Sequence, residues 1–67
     1  MKIKEGDTIC VTVLPEYEEC FMNCPTLVSG EVRQVDEDHV WIGRLWHRYP
    51  WIMVTLDWHH PKEQSNV

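Results

Sequence analysis

Cys10, Cys20, Cys24, His59 and His60 are the side chains of this chain best suited to binding a metal. Cys20 and Cys24 stand at a spacing used by structural zinc sites, in which two close ligand pairs complete a tetrahedron. The second close pair of cysteines is missing, and His59-His60 are adjacent in a polar C-terminal stretch. Free cysteine is the ordinary state in a reducing compartment. No metal and no other cofactor is therefore expected. Nucleophilic catalysis would need a thiolate beside an imidazole that a third group orients, and nothing in the spacing assembles one. Glu18-Glu19 and Asp36-Glu37-Asp38 read as solvated loop charge rather than an acid–base pair. There is no glycine-rich phosphate loop. These residues point to no catalytic site and to a protein that is not an enzyme.

A different chemistry is concentrated in residues 41–51. This window holds three tryptophans, one tyrosine, two arginines and one histidine, and no acid. Trp, Tyr and Arg bury large areas at modest entropy cost and carry most of the energy of protein interfaces. A core this small does not readily absorb four Trp, two Tyr and one Phe. Trp41, Arg44, Trp46, His47, Arg48, Tyr49 and Trp51 are therefore the expected partner-binding residues. The partner is expected to be protein, and a second copy of the chain is the simplest case, giving a homo-oligomer. The alternative is RNA or DNA, because the same residue types stack on bases and attract phosphates.

Charge decides between these readings. The chain has 67 residues and a formal charge of −5. Residues 1–38 carry three basic and nine acidic side chains, whereas residues 39–67 carry three and two. Phosphate binding needs a basic face, so the balance disfavours nucleic acid in general and leaves only the second half able to meet an anion. The charge is also too modest and too confined to loops for a mimic of nucleic acid. No run approaches the roughly 18 apolar residues of a membrane span. The N-terminus lacks the apolar stretch of a signal peptide, and an odd, low cysteine count does not resemble a secreted disulfide framework. A cytoplasmic location is expected.

The elements that position these side chains read as strands. Ile9, Val11 and Val13 alternate with Thr8, Cys10 and Thr12, and Pro15 ends the run. Residues 15–25 read equally as a short helix opened by Pro15 or as an irregular loop; as a helix, Tyr17, Phe21 and Cys24 would share a face. A second strand covers residues 26–35, where Gly30 suggests a bend or the close approach of another backbone. Asp36-Glu37-Asp38 is a hairpin turn. A third strand is expected over 39–46, with Val40 and Ile42 inward, and His47–Pro50 is read as a connection. Residues 51–58 form a fourth strand, with Ile52, Val54, Leu56 and Trp58 inward and Trp51, Met53 and Thr55 outward. The domain is expected to span 1–58, followed by a frayed polar tail over 59–67.

Gly6-Asp7-Thr8-Ile9-Cys10-Val11, the stretch Val28-Ser29-Gly30-Glu31-Val32-Arg33-Gln34-Val35, and His39-Val40-Trp41-Ile42 together resemble the SH3-like small barrels, especially their KOW and Tudor-like groups. The likeness lies in the order: opening strand, long loop, bent strand, tight hairpin, next strand. It implies an all-β barrel of about five short antiparallel strands over residues 5–57, and binding rather than catalysis. The chain departs from KOW domains in being acidic, and its aromatics match no methyl-reading cage. The resemblance therefore assigns no functional residue.

Overall fold

A computed structural model describes residues 2–62. The chain is all-β. Five strands run β1 (Thr8–Val13), β2 (Leu27–Val35), β3 (His39–Ile42), β4 (His47–Pro50) and β5 (Val54–His60). They form one antiparallel sheet in the order β4-β3-β2-β1-β5, which does not close on itself. Among the described residues no helix is long and apolar enough to cross a membrane.

β2 is the hinge of the sheet. Its first half pairs with β1, from Leu27↔Thr12 to Glu31↔Thr8. Its second half pairs with β3, from Val32↔Ile42 to Val35↔Val40, with a shift between Val32 and Gln34. Gly30, opposite Ile9, lies just before the change of partner between Glu31 and Val32. A side chain there would begin 3.4 Å from Gly43 Cα and from Ile42 Cγ2. Of the two readings of this glycine, the close approach of another backbone is the one seen. Val35, half-buried, breaks the parity of the strand because of the shift.

The change of partner lets the two halves of the sheet face one core. Ile9, Val11, Val13, Val32, Val40, Ile42, Tyr49 and Val54 fill it. Three expectations of strand parity fail here, each for a local reason. Residues 39–46 are not one strand: Gly43–Trp46 form a turn, and His47–Pro50 return as β4 with Tyr49 opposite Val40. Residues 51–53 are a three-residue 3-10 turn, so Ile52 is 76% exposed rather than inward. Trp58 is exposed because the β1–β5 register slips between Cys10↔Trp58 and Val11↔Leu56. The extra residue, Asp57, turns Trp58 to the outer face. Leu56, on the inner side of the slip, is half-buried against the core as expected.

Residues 15–25 combine both readings. Pro15 opens a 3-10 helix over Pro15–Phe21, and an irregular stretch follows. Tyr17 and Phe21 pack on the core, whereas Cys24 is exposed. The Phe21 ring stacks on Tyr49 with centroids 5.3 Å apart.

One buried carboxylate joins the stretch before β1 to the end of β5 and the residues after it. Asp7 is only 4% exposed. Its Oδ2 lies 3.0 Å from the Lys4 amide and 2.8 Å from His59 Nε2, and its Oδ1 accepts from the Lys62 amide at 2.8 Å. With the carboxylate ionised, only a protonated Nε2 makes the histidine bond. β5 accordingly runs through His60, so the expected boundary at residue 58 falls inside a strand. Residues 63–67 of the expected tail lie outside the described residues.

Two predictions follow from the core and from this carboxylate. Ile42→Ala should cost about 2–4 kcal/mol in denaturant unfolding, while Ile52→Ala should stay within roughly 0.5 kcal/mol of the parent. The hydrogen bonds from His59, Lys62 and Lys4 lower the Asp7 pKa from 3.8 to about 2. A depressed carboxyl stabilises the fold at pH above its ordinary value, and that stabilisation disappears as pH falls toward the folded value. Melting temperature should therefore drop between about pH 4 and about pH 2, and Asp7→Asn should flatten that part of the profile.

Candidate functional site

The arginine- and tryptophan-rich window folds into the β3–β4 hairpin. Its turn depends on Gly43, which has φ 80°. The Gly43 amide donates to the Glu31 carbonyl at 2.9 Å, and the Gly43 carbonyl accepts from the Trp46 amide at 3.1 Å and from Arg33 Nε at 3.2 Å. Arg33 also lies 3.6 Å from Glu31. Two of these bonds, to the Glu31 carbonyl and from Arg33 Nε, tie the tip to β2. Its side chains nevertheless point away: Leu45 is 78% exposed, Trp46 is 50% exposed and Arg44 is exposed.

Trp46 has φ 53°, the one non-glycine residue with positive φ among those described. A bulky side chain in the left-handed region costs roughly 1–2 kcal/mol, which glycine avoids. A turn selected only for folding would place Gly or Asn there.

Below the tip, Pro25, Val28, Ile42 and Leu45 give the apolar lining of an open groove of about 560 Å³, and Glu31, Arg33, Arg44 and His47 its polar lining. On the outer face of the sheet, Gln34, Trp41 and Arg48 stand in one cross-strand row. The His39 ring lies 6.0 Å from Trp41, on the same face. Arg48 is exposed and Trp41 half-exposed. Among the described residues neither Arg44 nor Arg48 joins an ion pair.

Two expected contact residues lie elsewhere. Tyr49 is fully buried, and its hydroxyl donates to the Pro25 carbonyl at 2.8 Å. Burial pushes its phenol up, with Cys24 adding to the shift. It is core because the Gly43–Trp46 turn sets it opposite Val40. Trp51 is half-buried rather than fully outward. Its amide donates to the Asp38 carbonyl at 2.9 Å and its indole Nε1 to the Asp36 carbonyl at 3.1 Å. It packs against the core as one wall of a second groove, about 730 Å³, with Ile3, Val35, Val54 and Leu56. The 3-10 turn, rather than strand parity, sets its direction. The acidic turn that holds it is a tight one: Asp36 Oδ1 accepts from the amides of Asp38 and His39, which lowers the Asp36 pKa.

Leu45 is the contact candidate that strand reading missed, because a position on a strand gave it an inner or outer face instead of a tip. Gly43 followed by a polar residue was the available turn signal. The thiols are dispersed. Cys20 and Cys24 are exposed in the long loop, while Cys10 is buried with its Sγ 3.8 Å from Asp57 Oδ2. Burial and then the Asp57 charge push the Cys10 thiol up, away from the reactive thiolate. Among the described residues no three His, Cys, Asp or Glu side chains are grouped to hold a metal ion.

No family model matches the chain, and neither a curated protein nor a solved structure matches it. Trp46→Gly should leave the thermal unfolding temperature unchanged or higher, by up to about 1 kcal/mol of stability. Gly43→Ala, which puts a Cβ at φ 80°, should destabilise the fold by about 1 kcal/mol or more and lower its unfolding temperature.

Proposed function

We propose that this chain is a non-catalytic interaction module that binds a protein partner through the β3–β4 hairpin tip. The exposed, left-handed Trp46 carries the reading. A strained position held by a large aromatic is best explained by what the side chain contacts outside its own fold. Leu45 supplies a second apolar anchor beside it. Arg44 and Arg48 supply charge at the rim, and the row through Trp41 extends the surface along the sheet.

The strand order supports an SH3-like architecture: an opening strand, a long loop, a strand that changes partner after Glu31, a tight acidic hairpin and a return. Three unbridged cysteines support a cytoplasmic setting. Nucleic acid remains the second reading because Trp41 and Arg48 stand opposite each other on the open face of the hairpin, an arrangement able to stack a base and meet a phosphate. The charge of −5 weighs against it.

The test compares the chain with its Trp46→Gly variant at equal folded stability. Association with its protein partner, itself included, should weaken by about 2 kcal/mol, roughly thirtyfold. An unchanged affinity would remove the tip from the interface. Binding of single-stranded oligonucleotides that falls steeply with salt, with no protein association, would favour the second reading.

A further inference from the structure

We infer that the partner of the hairpin tip is a second copy of this chain, engaged through the acidic segment Pro15–Met22. This rests on the reading of the tip as a contact surface and names what it contacts. The tip offers Leu45 and Trp46 as apolar anchors with Arg44 and Arg48 beside them. The segment offers the matching set. Glu16, Glu18 and Glu19 are all exposed, no basic residue lies within the 3-10 helix, and Met22 follows at 85% exposure, above every other exposed large apolar side chain described.

The two surfaces are complementary in charge and each contains an apolar anchor. Neither is satisfied at home, since among the described residues none of these glutamates pairs with Arg44 or Arg48. Met22 is a flexible, polarisable side chain suited to packing on an aromatic such as Trp46. The surfaces also share a boundary. Pro25 follows the acidic segment, accepts the Tyr49 hydroxyl, and lines the groove under the tip. A molecule with adjacent complementary patches can pair by a two-fold axis, each tip meeting the other copy's loop. That arrangement closes as a dimer and uses both surfaces twice. It also accounts for the separation of acids from the aromatic window despite a net charge that repels copies in general.

The experiment uses two charge-reversed chains, one carrying Arg44→Glu and Arg48→Glu, the other Glu18→Lys and Glu19→Lys. Mass is followed by sedimentation at rising concentration, with reductant present so that Cys20 and Cys24 cannot bridge copies. The unaltered chain should form dimers. Each variant alone should dimerise on the order of a hundredfold more weakly, because like charges then meet in both contacts. An equimolar mixture of the two should regain dimers, since both contacts become complementary again. A monomeric unaltered chain would overturn the self-partner and leave the tip open to another protein. A dimer lost on Trp46→Gly but not restored in the mixture would overturn the acidic segment as its counterpart. A dimer that survives Trp46→Gly would overturn the tip itself.

Discussion

The change of partner along β2 is the constraint on which the rest of the structure depends. A flat five-stranded sheet of this length would leave its apolar face uncovered. By pairing its first half with β1 and its second with β3, β2 folds the sheet over its own side chains. At Gly30, Gly43 and Ile42 come within 3.4 Å of where a Cβ would stand, and the Glu31 carbonyl takes the Gly43 amide. The change of partner therefore encloses the core and also fixes the base of the hairpin turn. Small domains bury a limited fraction of their surface. Here Tyr49, the largest fully buried side chain, supplies much of the core volume, with Phe21 stacked on it from the long loop.

Strand alternation was legible wherever a strand ran undisturbed. Ile9, Val11, Val13, Val40 and Ile42 are buried as their spacing implies, because period two is a geometric property of extended backbone. The all-β class, the acidic hairpin and the role of Gly30 were legible for similar reasons, each marked by residue types with strong local preferences. Legibility stopped where tertiary bonds override local pattern. The Gly43–Trp46 turn has a tryptophan where a turn residue is usual, so the run 39–46 read as continuous strand. The 51–53 turn is secured by carbonyls of a distant turn, Asp36 and Asp38, that no local pattern reveals. The slip at Asp57 is stabilised from another strand, where Thr12 Oγ1 donates to its carboxylate. The candidate site was legible in composition and only partly in geometry: Arg44, Trp46 and Arg48 reach the surface, while Tyr49 and Trp51 belong to the fold.

The aromatics thus divide into two groups with different work. Tyr49 brings volume to the core and Phe21 and Trp51 pack half-buried against it; the Tyr49 hydroxyl finds a backbone carbonyl, as burial requires, and the Trp51 indole donates to another. Trp46 does neither. It occupies a costly backbone position and stays half in water, next to an exposed leucine and two arginines without partners among the described residues. Opposite charge is gathered elsewhere, in the long loop and in the 36–38 turn. Buried and exposed aromatics lie side by side in one short window, which is why composition alone merged them.

The proposed contact role of Trp46 separates it from Trp51, which packs against the core. The four indole N–H resonances of the chain report on it directly in a concentration series by NMR. The account requires the Trp51 signal to exchange slowly with solvent and stay fixed, while the Trp46 signal shifts progressively as the chains associate. A Trp46 signal unmoved by association, with Trp51 shifting instead, would contradict it.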